Sequence, residues 1–180
     1  MQKRVSSGSN LEYHAKILLL GDPSVGKTSL LRKFVYGSFT SDYTATLGVD
    51  FLTKVINNDN VTVNLAIWDV AGEAKFSSFK SMYYTGASGA LLIFDLTRKT
   101  TLDNLSTWYA DVKKYSPGAV TTVIGNKADL QNQISNDTIN EIIKAIIPSY
   151  RYFTTSAKTG ENVEDVFFYL TDKMLTLTDD

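Results

Sequence analysis

Short apolar runs alternate along the chain with segments whose apolar side chains recur every three or four residues. The runs predict six buried strands, and the segments between them predict helices, the first over residues 28–36 and the last after Asn162. This alternation is typical of an α/β domain whose mostly parallel sheet is covered by helices on both faces. The predicted strands cover residues 15–20, 50–57, 61–68, 89–94, 121–124 and 152–155.

One connection in this pattern is too short to contain a helix. Only Asn58, Asp59 and Asn60 separate the second predicted strand from the third, and these residue types favour tight turns. We therefore expect a β-hairpin, in which one strand runs antiparallel to the rest of the sheet. The pattern predicts six strands and about five helices.

The domain organisation follows from the same pattern. We expect one domain over residues 14–177, a flexible tail at 1–13, and a truncated or short tail at 178–180. In the last predicted helix we interpret the neighbouring rings of Phe167 and Phe168 as core packing.

Composition excludes several classes of protein. The 180 residues include 18 lysines and arginines against 19 aspartates and glutamates, one histidine and no cysteine. A disulfide framework, a thiolate zinc site and a histidine cluster are excluded, and no basic face predicts nucleic-acid binding. No apolar stretch is long enough for a signal peptide or a membrane span.

Localisation is predicted from the two ends of the chain. Position 2 is not the glycine that myristoylation requires, and no cysteine is available for prenylation. We expect a monomer without a membrane anchor in this chain. Its location would be cytoplasmic, peripheral to membranes if a lipidated tail is missing from the sequence.

One stretch has the spacing of a phosphate-binding loop, Gly21-Asp22-Pro23-Ser24-Val25-Gly26-Lys27-Thr28. It follows a predicted strand and opens a predicted helix, which is the context in which this pattern is specific. We expect backbone N–H groups from Ser24 to Ser29 and the ammonium group of Lys27 to hold phosphates. The hydroxyl of Thr28 would take a Mg²⁺ position.

A second motif, Asn126-Lys127-Ala128-Asp129, follows the fifth predicted strand. The carboxylate of Asp129 can accept both the ring N1–H and the exocyclic amine of guanine, whereas adenine presents a lone pair at N1. We therefore expect a guanine nucleotide. Asn126 would tie neighbouring loops together, and the aliphatic stem of Lys127 would cover the base. For this tetrapeptide alone, a polar surface loop is the alternative.

With these motifs the chain resembles the Ras superfamily of small GTPases, and within it the Rab branch. The resemblance covers nearly the whole chain and implies a P-loop NTPase G domain that binds GTP or GDP with Mg²⁺. Further matching segments are Asp69-Val70-Ala71-Gly72, Ser156-Ala157-Lys158, and residues 47–51, 65–69, 83–87 and 92–97.

The resemblance also implies roles for single residues. Thr46 would reach Mg²⁺ and the γ-phosphate only when GTP is bound, while Phe39 would lie against guanine and Tyr43 would cover the phosphates. Asp69 would hold Mg²⁺ through water, and the N–H group of Gly72 would contact the γ-phosphate. Residues 156–158 would form the second base-binding loop. For both aromatic rings, core packing is the alternative.

Two residues depart from the family pattern. Glu73 stands where the family usually has glutamine, so a donor near the attacking water is lost and a negative charge is added. We expect Glu73 to turn toward solvent and GTP hydrolysis to be slow, with a general-base role for Glu73 as the alternative. Pro23 removes one N–H group from the loop. Either its absence tunes the loop, or the N–H group at this position does not face the phosphates. The residues assigned to catalysis are Lys27, Thr46, Gly72 and Glu73.

The leading hypothesis is a Rab-like regulator of membrane traffic that alternates between GTP and GDP forms. Its switch loops would contact effectors, exchange factors and GTPase-activating proteins. A GTP-loaded binding module without useful hydrolysis is a second hypothesis. A third, an ATP-dependent enzyme on the same loop, is disfavoured by Asp129.

Overall fold

The computed structural model describes residues 1–5, 11–40, 46, 48–58, 61–71, 80–147 and 150–177. Within these residues one sheet of seven strands is accompanied by six helices. The strands are β1 (Gln2–Val5), β2 (Leu11–Leu20), β3 (Val49–Asn58), β4 (Val61–Val70), β5 (Gly89–Asp95), β6 (Val120–Asn126) and β7 (Tyr152–Thr155). The helices are α1 (Lys27–Tyr36), α2 (Lys80–Tyr84), α3 (Lys99–Asp103), α4 (Leu105–Tyr115), α5 (Asn136–Ile146) and α6 (Val163–Thr176).

The sheet brings the carboxyl ends of its parallel strands to one edge. Its order is β3-β4-β2-β5-β6-β7, and the pairs from β4 to β7 are all parallel. β3 pairs with β4 in the antiparallel sense, as the predicted hairpin requires. The predicted α/β fold with a mixed sheet is confirmed. In open sheets of this kind, ligands bind outside the carboxyl ends of the strands.

The first residues differ from the expected flexible tail at 1–13. β1 pairs antiparallel with the start of β2, so that Gln2 lies opposite His14 and residue 5 lies opposite Leu11. On the same side of β2, β5 begins to pair only at Ile17. β1 therefore satisfies backbone groups that would otherwise form an open edge. The polar composition of these residues alone does not predict this pairing.

The two faces of the sheet support separate apolar cores. Along β2, Ile17 and Leu19 belong to one core, while Leu18 and Leu20 belong to the other, because successive strand residues point to opposite faces. Helices α1 and α6 cover the first core, and α2 to α5 cover the second. Among the described residues, none of the helices combines the length and the apolar character that a membrane span requires.

The neighbouring aromatic residues of α6 have different environments. Phe167 is fully buried and stacks on Phe34 with ring centroids 3.9 Å apart. Phe168 is 47% exposed and meets Phe34 only edge-on, at 6.3 Å. Consecutive helix residues point about 100° apart, so both rings cannot face the same core. The expectation of core packing is confirmed for Phe167 and wrong for Phe168.

We predict that Phe167→Ala lowers the free energy of unfolding by about 3–5 kcal/mol, because it opens a cavity beside Phe34. Phe168→Ala is the matched control and should cost about 1 kcal/mol or less, since half of that ring is already in water. Urea denaturation of both variants measures the difference. Equal losses would contradict the assignment of Phe167 to the core.

Candidate nucleotide-binding site

The phosphate-binding loop connects β2 to α1 at the carboxyl edge of the sheet. Gly21 and Gly26 have φ values of +147° and +99°, in the region that favours glycine. A Cβ atom on Gly21 would lie 2.1 Å from the carbonyl oxygen of Ile93, and one on Gly26 would lie 2.2 Å from Nδ2 of Asn126. Close neighbours and backbone conformation both require glycine at these two positions.

Lys27 is buried at the start of α1 with its ammonium group beneath the loop. Its Nζ donates hydrogen bonds to the carbonyl oxygens of Gly21 at 2.8 Å and Asp22 at 2.9 Å. Burial lowers the pKa of Lys27 to about 8, although the carboxylates of Asp69 and Asp22 oppose the shift. An anion bound at the loop would supply opposite charge, and N–H groups in the first turn of a helix, such as that of Ser29 in α1, favour one there.

Two hydroxyls and one carboxylate converge beside Lys27. The Oγ1 atoms of Thr28 and Thr46 are 2.9 Å apart, and both hydroxyls donate to Oδ2 of Asp69, the Thr46 bond being 3.3 Å long. Asp69 is buried near the end of β4, and its Oδ1 has no hydrogen-bond partner among the described residues. Burial raises the pKa of Asp69 above its ordinary value, against the hydrogen bond from Thr28. Hard oxygen ligands with one unpartnered carboxylate oxygen fit a Mg²⁺ ion or its water.

Asn126, at the end of β6, joins three segments. Its Nδ2 donates to the carbonyl oxygen of Val25 in the phosphate-binding loop at 2.8 Å. Its Oδ1 accepts from Thr155 Oγ1 and from the N–H group of Ala157, both at 3.2 Å. The side chain is 1% exposed. One buried amide therefore links the phosphate-binding loop to the segment after β7.

Asp129 is held by that same segment after β7. Its Oδ1 accepts a 2.6 Å hydrogen bond from Ser156 Oγ, and Lys158 Nζ lies 3.9 Å from its Oδ2. The two loops that are predicted from the sequence to bind the base thus meet at the carboxylate of Asp129. Because the carboxylate is oriented by neighbours on both oxygens, it is prepared to accept a ligand in a fixed direction.

Asp95 connects the base loop to the phosphate-binding loop. It ends β5 directly opposite Asn126, and its side chain is 1% exposed. Its Oδ2 pairs with Lys127 Nζ at 2.7 Å and Arg98 Nε at 3.0 Å. Arg98 also donates to the carbonyl oxygen of Pro23 at 3.0 Å.

Burial alone would raise the pKa of Asp95, but hydrogen bonds from Lys127, Thr97 and Arg98 outweigh the effect of burial and hold the pKa below its usual range.

Comparison with known proteins places this chain in a family. Residues 16–176 match the Ras family. The chain is 37% identical to Ras-related protein RAB1BV of Beta vulgaris over 162 residues, 89% of this chain and 75% of that protein. It is 38% identical to Ras-related protein Rab-2B of Dictyostelium discoideum over 170 residues, 93% and 83% of the two chains. The chain belongs to the Ras family of small GTPases. GTP-binding protein ypt2 of Schizosaccharomyces pombe is 37% identical over 167 residues, 91% and 82% of the two chains.

In this small GTPase, most of the predicted site residues lie together at the carboxyl edge of the sheet. Phe39 is 38% exposed, so core packing does not account for its ring, and its contact with guanine stays a prediction. Tyr43, Gly72 and Glu73 lie outside the described residues, and their predicted roles stay predictions. The described site residues are Ser24, Val25, Gly26, Lys27, Thr28, Ser29, Thr46, Asp69, Asn126, Lys127, Asp129, Ser156, Ala157 and Lys158.

The sequence interpretation assigns no role to Asp95, although a signal is present. A charged residue closes an otherwise apolar strand, and the next parallel strand closes with Asn126. Because parallel strands end at one edge, such a pair predicts a polar cluster there. Arg98 gives no comparable signal, since its contact with Pro23 depends on how α3 packs.

We predict that Asp95→Asn lowers the free energy of unfolding at neutral pH by about 1–3 kcal/mol, because charged hydrogen bonds to Lys127 and Arg98 are weakened. The folded pKa of Asp95 is depressed below 3.8, so its stabilisation is complete well above that value. As pH falls through the lower folded pKa the stabilisation is lost, and the two proteins should converge. Urea denaturation of both proteins, from pH 7 down to a pH below the folded pKa of Asp95, measures this. A difference that is constant with pH would contradict the ion pair.

Proposed function

We propose that this small GTPase is a Rab-like molecular switch that binds GTP or GDP with Mg²⁺, hydrolyses GTP slowly and regulates membrane traffic. The observation that carries the proposal is the single hydrogen-bonded unit formed by the phosphate-binding loop, Asn126 and the base loops. A nucleotide has a phosphate end and a base end, and this unit contains groups suited to bind each of them at one edge of the sheet.

The phosphate end of the ligand would lie on the loop and the first turn of α1. The ammonium group of Lys27 would offset phosphate charge, and backbone N–H groups would donate to the phosphate oxygens. Thr28, Thr46 and Asp69 would hold Mg²⁺, which when bound supplies positive charge beside the outer phosphates. Thr46 belongs to no helix or strand, and its described hydrogen bonds, with Thr28 at 2.9 Å and to Asp69 at 3.3 Å, all pass through its one hydroxyl. Contact through a single side-chain group suits a switch residue.

The base end would be recognised by Asp129. Its carboxylate accepts the two adjacent N–H donors of guanine, and its contacts with Ser156 and Lys158 support that orientation. Adenine would place a lone pair against the carboxylate, at a cost that strongly favours guanine. Lys127, tied to Asp95 at 2.7 Å, would lie along the base with its aliphatic stem.

Hydrolysis by this chain would be limited at position 73, where glutamate replaces the family's glutamine. A carboxylate cannot donate to the water or to the phosphate, and its charge repels the triphosphate. Effectors, exchange factors and activating proteins of the Rab type would act at the switch loops. An activator that brings its own glutamine and arginine would bypass the defect.

We predict that Asp129→Asn moves base preference from guanine toward xanthine, because an amide donates where xanthine presents an acceptor. Titration of fluorescent GDP and XDP against the natural protein and the variant measures the preference. Ser156→Ala is the matched control, since it leaves the carboxylate in place and should keep guanine preferred. An unchanged guanine preference in Asp129→Asn would contradict the placement of the base.

We predict that intrinsic GTP hydrolysis is at or below about 10⁻⁴ s⁻¹, the order known for Ras without an activator, and that Glu73→Gln raises it. The substitution restores a donor near the attacking water and removes a negative charge. Single-turnover hydrolysis of radiolabelled GTP at saturating Mg²⁺ and several pH values measures both proteins. A natural rate above that of Glu73→Gln, rising through a carboxylate titration, would instead identify Glu73 as a general base.

A further inference from the structure

The phosphate-binding loop carries an acidic side chain whose two oxygens are both held by one helical segment. Asn104, between α3 and α4, donates through Nδ2 to Oδ2 of Asp22 at 2.7 Å. Trp108, on α4, donates through Nε1 to Oδ1 of Asp22 at 3.0 Å. Both donors are uncharged, so they orient the carboxylate without neutralising it.

The orientation of Asp22 matters because its backbone contacts Lys27, the residue proposed to hold phosphates. Its carbonyl oxygen accepts from Lys27 Nζ at 2.9 Å, while its carboxylate points to α4. The carboxylate of Asp22 would repel a bound nucleotide if it turned toward the phosphates, since like charges gain energy by separating. The contacts with Asn104 and Trp108 hold it on the outer side.

The segment that supplies these donors is itself firmly placed. Leu105 and Val112 anchor α4 in the core, each 1% exposed. On its outer side, Asp111 pairs with Lys80 of α2 at 2.5 Å, and the Lys80 ammonium lies 6.0 Å from the Trp108 ring centroid. The donors therefore sit on a rigid support, as positioning groups require.

We infer that Asn104 and Trp108 are positioning residues for the phosphate-binding loop, which keep the Asp22 carboxylate turned away from the nucleotide phosphates. The inference rests on the proposed guanine-nucleotide binding. It explains how the loop can carry the negative charge of Asp22, which would otherwise oppose nucleotide binding. It also assigns a role in ligand affinity to Trp108, whose described hydrogen bond is made with Asp22 in the phosphate-binding loop.

The test measures dissociation of fluorescent GDP and GTP from the natural chain and from Trp108→Phe and Asn104→Ala. Each variant removes one donor to a charged acceptor, so dissociation should accelerate roughly tenfold, and more for GTP because it carries more charge. Trp108→Phe keeps a ring in place of the indole. Tyr109→Phe, the next residue on α4, is the matched control and should match the natural rate.

The same variants are then measured in the Asp22→Asn background, which removes the charge. There the acceleration should fall below about twofold, because no carboxylate remains to turn inward. Urea denaturation of every variant reports folding separately, and Asn104→Ala carries the test if Trp108→Phe does not fold.

Three outcomes would overturn the inference. Unchanged dissociation in both variants would show that the contacts do not affect the loop. Equal acceleration with Asp22 and in the Asp22→Asn background would show a general structural role of α4 instead. Failure of the natural chain itself to bind GDP would overturn the proposed function and this inference together, and is seen before any substitution is made.

Discussion

The candidate site depends on the buried amide of Asn126. Through Val25 it fixes the phosphate-binding loop, and through Ala157 it fixes the segment that orients Asp129. Each of these bonds contributes only about 0.5–1.5 kcal/mol, but leaving a buried partner unsatisfied costs about 1–3 kcal/mol. The amide packs so closely against Gly26 that a Cβ there would lie 2.2 Å from Nδ2. The two halves of the site therefore cannot move independently without breaking buried hydrogen bonds.

The buried charges around this amide fall into two groups. Asp95 is fully partnered, and its neighbours hold its pKa below the usual range. Within the described part of the chain, Lys27 hydrogen-bonds only neutral carbonyl oxygens, and Asp69 keeps one oxygen without a partner. Burial therefore shifts both pKa values against the charged form. A buried charge that is not fully compensated lowers the stability of the fold when no ligand is bound. Perturbed groups of this kind cluster where ligands bind, which distinguishes the proposed phosphate and metal positions from the ion pairs of Asp95.

The sequence predicts those features that local pattern determines and misses those that depend on distant packing. Alternating apolar runs predict β2 to β7, and the loop motif predicts a phosphate-binding loop between β2 and α1. β1 is missed because its pairing with β2 depends on a free edge next to β5, which no local pattern records. The contacts of Asp22 with Trp108 join residues 86 positions apart, so only the folded chain reveals them. Phe168 is misassigned because adjacent helix residues point in different directions.

The central claim is that one ligand, a guanine nucleotide, occupies both halves of the site. Calorimetric titration of the natural chain with GDP and with ADP, each with Mg²⁺ and with a chelator, tests it most directly. GDP should bind with at least about a thousandfold higher affinity than ADP, because a buried carboxylate rejects a base that leaves it unpaired. GDP affinity should also fall when Mg²⁺ is removed. Equal affinities for the two nucleotides, or binding of GDP that is indifferent to Mg²⁺, would contradict a site in which Asp129 reads the base and Thr28 and Asp69 hold the metal.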